Sequence, residues 1–390
     1  MNRSRLVFLL ISGILVLTIL SGTLLGAPTR DGEGEDSLYK YLSVFTEVLR
    51  LVRQAYVDET DLDLLMNGAL DGTPDALDPF SMYVPEDAVT DYLVARQVGE
   101  SRSGLRVAKE RGVAYVVAVQ EKGPAAVLGL QQGDIVSRLD GESTRELPLW
   151  RIEKALTAAP GTKVKLEVLR AGETENFTLE LAEFQPPVAY VETYQSVPRL
   201  RVASFTKEAP AVVGKLMGSV QGNELLIDLR GVAFGDAERA YEVAKLFAAG
   251  DLGFLMKRDQ KLETYTGADN QGWRGKTVVL VDRGTQGAAE VFAQILRQRS
   301  GAKLVGQPTF GFAGRSKVIE LDAGGSIVLT DAFFTGPDGE PVNEGIEPDV
   351  LVGDRARSFK ELGESLEDLI LERALDVLRD QAGAAEKKAA

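Results

Sequence analysis

The 390 residues include no histidine and no cysteine, so chemistry is left to hydroxyls, lysine amines, phenols and carboxylates. Imidazole-based triads, thiol nucleophiles, disulfides and thiolate or imidazole zinc sites are excluded. One stretch concentrates what remains. Thr277-Val278-Val279-Leu280-Val281 reads as a buried strand. Asp282-Arg283-Gly284-Thr285-Gln286-Gly287 breaks it, and a helix follows from Ala288, with Glu290 in its first turn. A strand feeding a helix through such a turn aims free N–H groups at one point, which suits a nucleophile or an anion. Thr285 is the hydroxyl in that bend. Lys317 follows Ser316 in an alternating strand, so that its side chain points to the opposite face from that of Ser316. Thr285 and Lys317 are one hydroxyl and one amine that such chemistry could use. Ser300 and Lys303 have Ser-x-x-Lys spacing, but Gly301 ends the helix between them. The acidic pairs Asp58/Glu59 and Glu364/Glu367 read as solvated faces, and Asp228 with Arg230 as a pair ordering the loop that follows them. No cofactor or metal site is expected.

The elements that must position these residues fall into blocks. Arg3 and Arg5 precede uncharged, mostly apolar Leu6 to Leu25, a length able to cross a bilayer. Residues 1–28 therefore read as a signal sequence or membrane anchor, with Pro28 favouring the anchor. The remainder is expected in the cell envelope outside the cytoplasm, or secreted if the segment is cleaved. Residues 37–98 read as a helical cap, with an amphipathic helix over Leu38 to Tyr56, a second over Asp61 to Leu70, and a turn-rich run through Pro85. Residues 100–182 alternate short strands, glycine turns and brief helices. From 187 to 380 strands alternate with helices, which argues a layered α/β core over a largely parallel sheet. The closing helix runs from Phe359 to Arg379, before a tail at 381–390. The formal net charge of −14 argues against nucleic acid as a partner.

The 100–182 block resembles a PDZ domain, most closely in GPAAVLGLQQGDIVSRLDG. In such domains a polypeptide terminus adds a strand to a sheet edge, and its carboxylate meets backbone amides. The matching loop is Ser103, Gly104, Leu105, Arg106 and Val107, with Arg106 where glycine is usual. Arg106 would pair with a carboxylate or block the loop. The order of parts, with IDLRG, VGQPTFG, LTDAFFTGPDG and EGIEPDV, resembles the carboxy-terminal processing (tail-specific) proteases. That resemblance implies a core similar to the crotonase and Clp protease folds, and a serine–lysine dyad cutting near C-termini that the PDZ module captures.

Carried over one position at a time, the dyad is missing. Where the family has Gly-Ser/Thr-Ala-Ser-Ala-Ser-Glu, this protein has Gly284-Thr285-Gln286-Gly287-Ala288-Ala289-Glu290, with Gly287 at the nucleophile's position. Phe312 stands where the lysine base belongs, and Ser316 where a supporting Gln is frequent. The oxyanion loop Asn-Asn-Pro-Gly-Gly is replaced by Gly231-Val232-Ala233-Phe234-Gly235. Nucleophile and base act as a unit. The resemblance thus implies a pseudoprotease that binds protein C-termini or extended segments without cutting, as scaffold or adaptor. The alternative is a peptidase using the displaced Thr285 and Lys317. A third reading is an inactive partner in an oligomer with a working relative. The last helix could mediate that contact or pack on its own core.

Overall fold

The computed structural model describes residues 32–268, 272–353 and 366–389. The apolar segment Leu6–Leu25 lies outside these residues. Among the described residues, no helix is long and apolar enough to cross a membrane. The protein divides into two compact units, Met1–Gly68 and Ala69–Ala390. The first contains helix Gly32–Ala55 and the start of helix Leu62–Asp75. The second holds everything below.

The core is built on a six-stranded sheet in which Lys276–Val281 is central. Glu224–Asp228 and Lys303–Gly306 pair with it in parallel. Val197–Val202 and Val350–Leu351 extend the parallel set, and only the edge strand Ala189–Tyr194 runs antiparallel. Both faces are covered, as the continuous apolar runs require. Leu225, Ile227, Val279 and Val281 pack against helices that include Tyr241, Val291 and Phe292. Leu226, Val278 and Leu280 point the other way, onto Ile370, Leu371, Ala374 and Leu378. The last helix therefore spends its apolar side on its own core. It spans Leu366–Ala389, so the segment read as a tail is helical. Its Ala, Glu and Lys residues are strong helix formers.

The strand holding Ser316 and Lys317 belongs to a second, antiparallel sheet, separate from the parallel one. Ser326–Phe334 pairs antiparallel with Gly314–Glu320, with Gly250–Lys257 and with Met82–Val84. Met82–Val84 lies in the block read as a helical cap. It is a core strand instead, because Met82 and Val84 have a core partner in Val328 to bury against. The hairpin Gly250–Lys257/Gln260–Gly267 also belongs here.

The PDZ-like block is a third sheet, ordered from edge strand Leu105–Glu110 through Val113–Val119, Ile135–Leu139 and Lys163–Arg170 to Glu173–Glu180. Leu105, Val107, Val116, Ile152 and Leu156 share its core. It docks on the α/β core through polar and aromatic contacts. Glu121 accepts hydrogen bonds from Arg201 Nε (2.5 Å) and Tyr190 Oη (3.0 Å). Tyr115, Val117 and Ala108 pack with Phe80, Phe310 and Phe312.

Candidate active-site groove

The turn after strand Lys276–Val281 is held by its own acid. Asp282 Oδ1 accepts from the Gly231 N–H (2.7 Å) and the Gly284 N–H (3.0 Å). Burial pushes the Asp282 carboxyl above its ordinary range, against these backbone bonds. Thr285 is fully buried. Its hydroxyl donates to the Leu229 carbonyl (3.0 Å) and accepts from the Asp282 N–H (3.0 Å). It serves the bend and does not reach the groove. Arg230 grips Asp228 through Nε (2.9 Å) and Nη2 (2.6 Å). Burial opposes ionisation of Asp228, yet Arg230 and Arg201 hold its carboxyl down at about 2.

Gly287 caps helix Ala288–Arg299 with φ +62° and ψ −114°. This is the sharp, strained strand-to-helix bend that presents a nucleophile in hydrolases, and it costs an L-residue strain. A Cβ built there would meet nothing nearer than the Phe312 carbonyl oxygen at 3.7 Å. The bend thus has room for a side chain at position 287, and glycine supplies none.

Glu290, one turn into the helix, holds this bend. Its carboxylate is fully buried and joins the two loops that would carry the dyad. Oε2 accepts from the Gly287 N–H (2.9 Å) and the Phe312 N–H (2.9 Å). Oε1 accepts from the Thr309 hydroxyl and the Gly311 N–H. Burial pushes this carboxyl up to about 7 despite the four bonds, which favour the charged form.

Phe312, at the base position, is buried among aromatics. Its centroid lies 4.8 Å from that of Phe80, and 5.6 Å from that of Phe333, edge-on. The side group gives packing and no proton acceptor.

Between this bend and the PDZ-like sheet runs a groove of about 650 Å³, within the usual size for ligand sites. One wall carries Ser103, Leu105, Arg106 and Val107 with Leu156 and Thr157. The opposite wall carries Gln286, Gly287, Ala288 and Phe312 through Ser316. Gly104 sits beneath the first wall at φ +73°, close to Phe184 and Gly123. The Arg106 guanidinium lies 4.9 Å from the centroid of the Phe80 ring, a cation–π contact that orients it in the groove. Arg96 crosses one end, donating to the Ser316 carbonyl (3.2 Å). Gly287, Phe312, Ser316 and the Ser103–Val107 loop are thus brought to one groove. Thr285 and Lys317 are not. Lys317 is exposed on strand Gly314–Glu320, and no lysine lines the groove among the described residues.

Gln286, Arg96 and Arg315 also line this groove, and sequence reasoning gave them no role. Gln286 carried one signal, a long polar side chain where the family has alanine. Arg96 carried none, because its place depends on how helix Val89–Val98 packs.

The peptidase family S41 model matches residues 196–352, and the PDZ domain model matches residues 102–181. The chain is similar to a carboxy-terminal processing protease of Bacillus subtilis, with 26% identity over 309 residues, covering 77% of this protein and 66% of the relative. It is also similar to the carboxyl-terminal-processing protease of Synechocystis, with 28% identity over 295 residues, covering 73% and 69%. It thus spans about two thirds of the length of these relatives. Among solved structures, the photosystem II D1 C-terminal processing protease superposes with a TM-score of 0.65 at 21% identity, covering 80% of this protein and 93% of that one. At that identity the likeness speaks for the fold.

Proposed function

For a protein that joins a peptidase family S41 domain to a PDZ domain, in the manner of the carboxy-terminal processing proteases, we propose a holding role. It takes up protein C-termini or extended segments in the groove and does not hydrolyse them. The observation that carries this reading is the groove wall itself, where Gly287 and Phe312 stand at the nucleophile and base positions and no lysine is present among the described residues. Acyl transfer by a hydroxyl requires a nearby base and donors for the oxyanion. The hydroxyl of Thr285 is consumed inside its turn, which speaks against the displaced Thr285–Lys317 dyad.

Binding is supported by the other wall. Leu105–Glu110 is an edge strand, the geometry to which an extended peptide adds. Arg106 supplies a cation at the end of that strand for a terminal carboxylate. Arg3 and Arg5 ahead of Leu6–Leu25 support a location outside the cytoplasm, tethered to the membrane. Cell fractionation with an antibody to the α/β core tests this placement.

The test of the main reading is direct. The full-length protein is incubated with an unfolded protein, and both retention and proteolysis are followed. Retention without new termini is expected. Cleavage that disappears in Thr285→Ala would overturn the reading in favour of the displaced dyad.

A further inference from the structure

Gln286 precedes the empty nucleophile seat and is 4% exposed, yet its Oε1 is buried without a hydrogen-bond partner. Among the described residues, its side chain makes no hydrogen bond through Nε2 either. Its backbone is committed, the N–H donating to the Val232 carbonyl (2.9 Å) and the carbonyl accepting from Ala289 (3.2 Å), so the residue is fixed while its carboxamide is unused. Burying an amide oxygen without a partner costs about 1–3 kcal/mol. The same side chain lines the groove beside Gly287 and Ala288.

We propose that Gln286 is a peptide-binding residue. Its carboxamide pairs with the backbone carbonyl and N–H of an extended polypeptide lying across the vacated nucleophile seat. This rests on the holding role above and adds a second anchor to it, on the α/β core. The chemistry selects the ligand class. One acceptor and one donor on a rigid plane match a peptide group, which offers one of each. Oxygen and nitrogen of the carboxamide exchange places by a flip, so either strand polarity is accommodated. Gly287 contributes by what it lacks. With the nearest atom to its missing Cβ 3.7 Å away, a peptide backbone can approach the turn closely. The Ala288 N–H, heading a helix of 12 residues, adds a donor on the same wall. A peptide that begins beside edge strand Leu105–Glu110 enters the same groove, so PDZ-side and core-side contacts act on one continuous ligand.

The probe is a pair of Ala/Ser/Val peptides with free C-termini, one of about four residues and one of about fourteen. At about 3.3 Å per residue only the longer can span both walls. Affinities are measured by fluorescence anisotropy against the full-length protein and Gln286→Ala. The substitution is expected to weaken the long peptide about tenfold and leave the short one unchanged. N-methylation of one central amide of the long peptide should cost the wild type a similar factor and Gln286→Ala nothing. A long peptide bound equally by wild type and variant, with no methylation effect, overturns the inference while the holding role stands. Failure of both peptides to bind the wild type removes the holding role and the inference with it. If the variant fails to fold, the side-chain amide resonances of Gln286 in the wild type decide. They should shift on adding the long peptide and not the short, and an unmoved signal at saturation counts against the inference.

Discussion

The two walls of the groove have diverged in opposite ways. The PDZ-like wall keeps an edge strand, an apolar floor and a cation at Arg106. The α/β wall carries a hydrolase-like bend at Gly287, with the Phe312 ring beside it. The bend at Gly287 holds a conformation suited to displaying a nucleophile, although no side chain is displayed there. Backbone shape and reactive side chains are thus separable. The shape is fixed from beneath by the buried Glu290, whereas hydroxyl–amine chemistry would need two side chains projecting above it.

The contrast breaks most severely if Glu290 is not what maintains the bend. Glu290→Ala removes the acceptor of three backbone N–H groups and one hydroxyl in a fully buried place. The expected loss is about 3–5 kcal/mol of unfolding free energy, since orphaned buried donors recover no water. Urea denaturation measures it, and a loss below about 1 kcal/mol would make the clamp ornamental.

The same residue gives the wall a pH signature. The folded-state pKa of Glu290, about 7, lies above the value near 4.5 for an ordinary glutamate. The folded state therefore binds its proton more tightly. Its contribution is fully present below about pH 4.5, is lost as pH rises through 7, and stays flat above. The swing amounts to about 3 kcal/mol. Asp282, also raised by burial, acts in the same direction. Denaturation midpoints of the wild type should fall between about pH 5 and 7.5, and Glu290→Gln should flatten that slope. A wild type indifferent to pH over this range would contradict it.

Supplying a hydroxyl and an amine to this wall sharpens the contrast from the other side. Gly287→Ser has room for its Cβ but no amine beside it, so the single variant should cleave unfolded protein no faster than the wild type. Adding Phe312→Lys supplies the base from the loop that Glu290 already fixes. The double variant should gain about 100-fold over either single change, limited by the altered loop at Gly231 to Gly235. New termini by mass spectrometry are the readout. Activity in Gly287→Ser alone would mean that the groove holds a base the wall does not reveal.

How much of this was legible beforehand follows from where each signal resides. Gly287 and Phe312 sit in contiguous segments whose likeness to a family motif could be read residue by residue, and the parallel strands were legible because their runs are uniformly apolar. The antiparallel sheet could not, because Met82–Val84 and Ser326–Phe334 are paired across more than half the sequence and neither declares its partner. Glu290 was visible as an acid in a first helical turn, an ordinary capping choice. Its joining of two loops emerges only once Thr309, Gly311 and Phe312 fold over it. Gln286 was one polar residue in a turn, and its idle carboxamide is a property of the packed groove alone.

The smallest expected effect probes the intact wall. Arg106 lies over the Phe80 ring where the Ser103–Val107 loop meets the groove, and two roles compete for it. If it recognises a terminal carboxylate, Arg106→Ala should weaken peptides with free C-termini about tenfold and leave amidated peptides unchanged, since only the former present a charge for the guanidinium. If it occludes the loop, the same substitution should strengthen both, and Arg106→Gly, which removes the side chain entirely, should strengthen them further. Cation–π contact with Phe80 decides the expectation. A cation–π contact engages the face of a guanidinium, whereas a carboxylate is met by its N–H edge, so the two interactions do not compete for the same side of the group. Recognition is accordingly the outcome expected, and isothermal titration with the paired free and amidated peptides separates the two roles by the sign of the change.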